Sequence, residues 1–333
     1  MSCACSVCIL HISGFTCTSF KMNFTPLDPQ FLLDRLRPPS GPVRIVLDTD
    51  TFNEIDDQFA VVYALLSPER ISVEALHAAP FHNPRSSGPA DGMEKSYEEI
   101  HRLLARLHDV VIPGEAFVKR GSTEWLPTDR RPVRSIAADD LIERALAAPL
   151  EDPLYVVAIG AITNVASALL LEPEIRYRIV LLWLGGHARH WPDTREFNLR
   201  QDPAASRVVL DCGVPLVRFP CMGVVSHLHT TLPEMAAHVK GRGAIGDYLF
   251  QIYSEYHADQ FAYSKQIWDL APLGWLVDPE WAQMEIVSSP RLSDAITWEF
   301  DEGRHPVSCA RHVDRDGIFR DLFEKLDTAA SDR

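Results

Sequence analysis

The sequence predicts an α/β fold: a mostly parallel central sheet flanked by helices, Rossmann-like in its core. A helical elaboration and small antiparallel strands follow near the C-terminus. Two observations carry this expectation. Short apolar runs alternate with stretches of helical period from residue 44 to residue 219, and the runs are continuous, as strands covered on both faces are. Four aspartates, Asp48, Asp50, Asp56 and Asp57, gather where the first strand should end, and open parallel sheets bind ligands at the carboxyl ends of their strands.

The elements follow in order. Residues 1–21 crowd Cys3, Cys5, Cys8 and Cys17 around His11. Thiolates and imidazole are the usual zinc ligands, but no second C-x2-C half follows. The expectation is an extended translation start or a disordered tail ahead of Met22, within an N-terminal extension over residues 1–40. Pro38, Pro39, Ser40, Gly41 and Pro42 then lead into a single domain over residues 41–330. Strands are expected at Arg44–Leu47, Val73–Ala79, Val110–Ile112, Leu154–Ile159, Ile179–Leu184 and Leu216–Phe219. Helices are expected at Asp56–Leu66, Met93–Leu107, Ala138–Ala147, Asn164–Leu171 and Asp202–Leu210. After Cys221 a long helical region runs from Leu232 to about Tyr263, then short antiparallel strands over Glu285–Arg315 and a last helix near Gly317–Leu326.

Composition narrows the function. A chain of 333 residues that is 46% hydrophobic buries a large core. A formal net charge of -14 with no compensating Lys/Arg cluster argues against nucleic acid as a partner. No apolar run approaches the roughly 20 residues that span a bilayer. Without the basic start of a signal peptide or a disulfide framework, the expected location is the cytoplasm.

Crowded carboxylates repel unless a cation, a partner or water separates them. One such Asp reads as a solvated turn or a helix N-terminus; four in IVLDTDTFNEIDDQFA point to a metal site. LDTDTF is close to the D-x-D-x-T of haloacid-dehalogenase phosphatases, but Gly246-Asp247 is followed by YLFQ, so the late acidic motif is missing. An EF-hand loop fails because Phe52 takes a ligand position and Phe59 stands where the closing Glu belongs. Ser226-His227 lacks the G-x-S-x-G elbow of a hydrolase triad.

A third pattern covers more of the chain. IVLDTDTFNEIDDQFA resembles the D-T-D-P-G-x-D-D signature of the inosine-uridine preferring nucleoside hydrolase family. HNPRSSGPADGMEKSYEEI, VVAIGAITNVASALLLEPEI, LLWLGG, REFNLRQDPAAS and IWDLAPLGWLVDP resemble further blocks of that family, in order, across most of residues 43–325. The resemblance implies an N-ribohydrolase built around calcium, held by Asp50, Asp57, Asp269 and the backbone carbonyl of Ile159. All-oxygen coordination with several carboxylates suits such a hard cation. Asp56, Glu196 and Asn198 would hold ribose hydroxyls, Asn83 would be the Asn of the second block, and Asp50 would double as general base toward water. Asp48 would organise the turn. A homo-oligomer, dimer or tetramer, is implied as well.

This sequence departs from the family pattern in two places. The loop between the aspartate pairs is T-F-N-E-I, two residues longer, and adds Asn53 and Glu54 as extra ligands or substrate contacts. The frequent His-Asp is here Trp268-Asp269, and an indole has no basic nitrogen with which to protonate a leaving base. Trp268 resembles the purine-specific branch, where a Trp stacks on the base; core packing is the other reading. His82 and His227 are candidates for a replacement acid and for substrate contact. His190 stands near a family Asn at the ribose 5′ end. His229, Tyr256 and His257 fall on pocket-covering segments or on an ordinary helix surface. Purine ribonucleosides are the expected substrates. A dehalogenase-type phosphatase, or a ribosyl-binding homologue without turnover, is the alternative.

Overall fold

The computed structural model describes residues 24–331, except residues 109, 113, 115 and 116. The cysteine-rich stretch from Cys3 to Cys17, and with it the expected tail over residues 1–21, lies outside the described residues.

The core is an eight-stranded sheet in the order β3-β2-β1-β4-β5-β6-β12-β9. Its strands are β1 (Val43–Thr49), β2 (Ile71–Ala78), β3 (Val118–Arg120), β4 (Leu154–Ala158), β5 (Ile179–Leu184), β6 (Leu216–Phe219), β9 (Ala282–Ser288) and β12 (Pro306–Val313). All neighbours pair in parallel except β9, which runs antiparallel to β12 at the edge. The continuous apolar runs now have their reason. Ile45 and Leu47 enter a core under α2 (Asp56–Leu65), α3 (Pro89–Leu104), α10 (Leu270–Val277) and α11 (Arg315–Ser331), while Val46 enters a second core under α4 (Ile136–Ala147), α5 (Thr163–Leu171) and α7 (Pro203–Asp211). Successive side chains of a strand point to opposite faces, so both must be apolar.

The order reverses beside β1, whose two neighbours, β2 and β4, continue the chain on opposite sides. That switch point is where the carboxyl ends of β1 and β4 splay apart and leave a crevice. Gly160, just past β4, borders it: a Cβ there would lie 3.1 Å from the Asp50 backbone nitrogen and 2.9 Å from the Ala79 Cβ. Only a glycine lets the two strand ends approach so closely.

Three expectations about elements change. Val110–Ile112 forms no strand; Val111 is exposed, and the sheet edge is taken by Val118–Arg120. The region Leu232–Tyr263 is two helices, α8 (Leu232–His238) and α9 (Gly243–Tyr256), because Gly241 and Gly243 adopt positive φ of 77° and 70° and end the helical path between them. The antiparallel strands expected over Glu285–Arg315 are present but begin earlier, at Ala282: β9 and β12 extend the main sheet, and β10 (Arg291–Leu292) and β11 (Trp298–Glu299) form a small hairpin. Inside the segment expected as an extension, α1 (Pro29–Arg35) buries Leu32 and packs against β12. Among the described residues no helix is long and apolar enough to cross a membrane.

Candidate active site

At the end of β1 side-chain hydrogen bonds hold the chain as it turns. Asp48 is fully buried and its Oδ2 accepts from Asn164 Nδ2 at 2.8 Å. The other side of the Asn164 amide accepts from the Ser122 backbone at 2.7 Å, so one side chain ties three segments at the sheet edge. Asp48 therefore organises the turn, and burial lifts its carboxyl to about 7. Asp57 Oδ1 accepts from Thr49 Oγ1 at 2.5 Å and from the Asp50 backbone at 3.1 Å, which fixes the start of α2 against the strand.

Those contacts leave four carboxylates facing one another. One oxygen each from Asp56, Asp57 and Asp269 lies within 4.8 Å of the others. Asp50 lies beside them, and both its carboxylate oxygens are buried with no hydrogen-bond partner. None of the four side chains reaches the solvent to any useful extent. Burial first, and mutual repulsion second, push Asp50 and Asp269 well above the carboxylate range and Asp57 to about 7. One cation reaches the edge of the group: Lys265 Nζ is 3.8 Å from Asp56 Oδ1. Burial raises Asp56 too, and Lys265 works against that rise. An orphaned carboxylate beside three converging ones is a donor set for a hard divalent cation, and these residues fit one.

Around the cluster lies a cavity of about 290 Å³. Asp50, Asp56, Asp57 and Asp269 line it, as do Ile159, Glu196, Asn198 and Trp268. Asn198 donates to the Ile159 carbonyl at 2.9 Å and to the Leu184 carbonyl at 3.1 Å, holding the ends of β4 and β5. With both N–H groups committed, its Oδ1 remains as an acceptor. Glu196 caps α6 (Phe197–Gln201): its Oε1 accepts from Asn198 N, and its Oε2 from Gly186 N and Leu199 N. Burial lifts Glu196 to about 7 against those N–H groups.

Other predicted residues stand apart. Asn83 does not line the cavity but donates to Asn53 Oδ1 at 2.8 Å, and Asn53 does line it. His82 is exposed, with Nδ1 3.4 Å from Ser86 Oγ. His227 Nε2 is 2.7 Å from the Val313 carbonyl, and its ring stacks on His312. His190, His229 and His257 are exposed and outside the cavity lining, as is Tyr256.

The structure adds residues that the sequence did not single out. His187, Arg195, Arg200, Cys221 and Met222 complete the walls. Arg200 rests on the Phe197 ring and Arg195 donates to the Ala295 carbonyl; among the described residues neither forms an ion pair. Lys265, buried three residues before Trp268, anchors Glu54 at 2.6 Å. His187 follows LLWLGG and Arg195 precedes E-F-N directly, so their adjacency to those blocks was the available signal.

Comparison with known proteins gives a consistent result. A family model described as inosine-uridine preferring nucleoside hydrolase matches residues 45–320. The non-specific ribonucleoside hydrolase RihC of Salmonella schwarzengrund (strain CVM19633) is 28% identical over 264 residues, which is 72% of this chain and 80% of that protein. Among solved structures, the plant nucleoside hydrolase PpNRh1 superposes with a TM-score of 0.63 at 23% identity, over 86% of this chain and 99% of the other. The purine-preferring ribonucleoside hydrolase from Gardnerella vaginalis gives 0.65 at 19% identity, over 87% and 100%. At those identities the structural likeness speaks for the fold.

Proposed function

The chain belongs to the inosine-uridine preferring nucleoside hydrolase family and is a nucleoside N-ribohydrolase; on that premise we propose that it cleaves purine ribonucleosides to free base and ribose with the help of calcium. The observation that carries this reading is the orphaned, fully buried Asp50 beside the converging Asp56, Asp57 and Asp269. The Ile159 carbonyl, on the same cavity, is the further oxygen donor, and Asp50, Asp57 and Asp269 are its carboxylate companions. When bound, calcium would neutralise these carboxylates, gather the ribose diol and acidify water at the site.

The chain's own residues do the rest. Asp50, whose oxygens have no other partner, takes the proton from the attacking water. Asp56, Glu196 and the free Oδ1 of Asn198 accept ribose hydroxyls, which fixes the sugar for departure of the base. Breaking the N-glycosidic bond builds positive charge on the ribosyl ring, and the carboxylate-lined wall stabilises it. Trp268 stacks on the purine, which departs with the glycosidic electron pair and takes its proton from solvent water, since the indole has no basic nitrogen. The geometry gives no support to a replacement acid at His82 or His227, both outside the cavity lining. The proposal includes a homo-oligomer, as the family resemblance implies, a cytoplasmic setting, and a single domain over residues 41–330.

The test is a screen of inosine, guanosine, adenosine, uridine and cytidine for released ribose, with calcium and with chelator. Ribose from purines, abolished by chelator and restored by calcium, is expected. Chelator-resistant release, or pyrimidines turned over faster than purines, would overturn the corresponding half of the proposal.

A further inference from the structure

Glu54 belongs to the longer loop between the two aspartate pairs and lines the cavity. It differs from the other carboxylates there. The side chains of Asp50, Asp56, Asp57 and Asp269 lie at the floor, whereas that of Glu54 is 37% exposed, at the rim. Among the described residues it is also the one that holds the cation most closely: Lys265 Nζ sits 2.6 Å from Glu54 Oε2 and 3.8 Å from Asp56 Oδ1. That ammonium is built in. Lys265 is 6% exposed, donates to the Gln266 carbonyl at 2.8 Å and faces the Tyr256 ring at 5.4 Å. Its strand, β8 (Lys265–Gln266), pairs with β7 (His229–Thr230), and the Tyr253 hydroxyl accepts from Lys265 N while donating to the Thr230 carbonyl.

The loop is held from its other side as well. Arg85 donates to the Glu54 carbonyl at 3.0 Å and lies over the Phe52 ring, and Asn83 holds Asn53. A residue merely filling an insertion would not be clamped on both flanks. With Oε2 committed to Lys265, Glu54 presents Oε1 without a partner among the described residues. An ionised carboxylate can only accept, so what it recognises must carry an N–H or O–H donor.

We propose that Glu54, positioned by Lys265, reads the hydrogen-bond donor edge of the nucleobase at the mouth of the site. This rests on the ribosyl-hydrolase reading only in its orientation: hydroxyls held at the acidic floor direct the base outward, toward Glu54 and the neighbouring Trp268. Trp268 contacts the face of the base and Glu54 its edge. The substrate class is purine nucleosides bearing a ring or exocyclic N–H, such as guanosine, in preference to the riboside of unsubstituted purine.

The experiment compares guanosine with unsubstituted purine riboside on the calcium-loaded protein and on Glu54→Ala, Lys265→Met and Lys265→Arg. Steady-state kcat and KM are measured for each. Nucleoside binding is measured by calorimetry in an Asp50→Asn background, where turnover is suppressed. Wild-type protein should prefer guanosine roughly 10- to 100-fold, the worth of one hydrogen bond to a charged group. Glu54→Ala should erase that preference, mainly through KM. Lys265→Met should do the same, and Lys265→Arg should restore most of it, which a packing role for Lys265 would not produce. Unchanged selectivity in Glu54→Ala would overturn the proposal, and unchanged selectivity in Lys265→Met would overturn the positioning role. Failure of wild-type protein to release ribose from any nucleoside would instead count against the hydrolase reading, because calorimetry reports the Glu54 contact without turnover.

Discussion

Two acidic networks flank the sheet, one around Asp140 beside β2 and β3 and one at the crevice past β1, and they are neutralised in opposite ways. On the β2 side, Asp140 is nearly buried but surrounded by partners. His77 Nε2 lies at 2.9 Å, Arg144 Nε at 2.7 Å and Lys119 Nζ at 3.2 Å, and Arg144 and Arg44 continue to Glu74. Burial opposes its charge, yet these partners hold Asp140 well below the ordinary carboxylate range. At the crevice, four buried aspartates share a single lysine at their edge, and burial drives all four upward. The first network is complete without any ligand. The second leaves Asp50 without a hydrogen-bond partner and could bind a metal, and that difference separates a self-contained cluster from a candidate site.

The largest expected effect strikes the unneutralised network. Asp50→Asn removes the candidate base, and turnover should fall by about 10²- to 10⁴-fold. A loss of only a few-fold in ribose release would move the base elsewhere. Asp57→Ala deletes a donor that also ties β1 to α2, so elemental analysis should find calcium gone from the purified variant; full occupancy would break the assignment.

Trp268→Ala sharpens the comparison from the substrate side. Stacking contributes roughly 1–3 kcal/mol, so inosine turnover should drop by about 10-fold or more. A p-nitrophenyl riboside, whose leaving group needs no activation, should be much less affected. Equal losses on both would reduce Trp268 to packing.

Asp140→Asn probes the neutralised network. It leaves Arg144 and Lys119 without their carboxylate and should lower stability by about 1–3 kcal/mol, read from the denaturation midpoint. Asp140 is not among the residues that line the cavity, so kcat and KM should hold. A selective loss of kcat would show that the two networks communicate.

The remaining prediction concerns pH. In metal-free protein, Asp57 and Glu196 titrate near about 7, above their unfolded values. Between roughly pH 4 and 7 the folded state then binds more protons than the unfolded state, so chelated protein should lose stability as pH rises through that window. A cation bound at the proposed site would compete with the Asp57 proton, so calcium affinity should rise over the same range. A chelated protein whose thermal midpoint climbs from pH 5 to pH 7 would contradict the shifts.

Much of this was legible in sequence for a physical reason. Asp50, Asp56 and Asp57 are neighbours along the chain, and the parallel sheet was written in continuous apolar runs, so local pattern sufficed. Glu54 and Lys265 are distant in sequence, and nothing local says that they meet; only the pairing of β7 with β8 carries the lysine to the rim. Helical period ran on through Gly241 and Gly243 because apolar spacing does not register a positive φ. His82 and Asn83 sit in one block, yet Asn83 turns inward to Asn53 while His82 faces solvent, a difference set by the loop path.

The carboxylates of the crevice are drawn from the end of β1, from the start of α2 and from the residue before α10, with Ile159 supplied by the end of β4. No stretch of the chain shorter than residues 50–269 contains that set. A partly folded intermediate with β1 and α2 alone would offer an acidic patch with no chelating geometry. On the proposed assignment, ion uptake would act as a checkpoint on completed folding, stabilising only the chain whose residues near 50, 159 and 269 have all met.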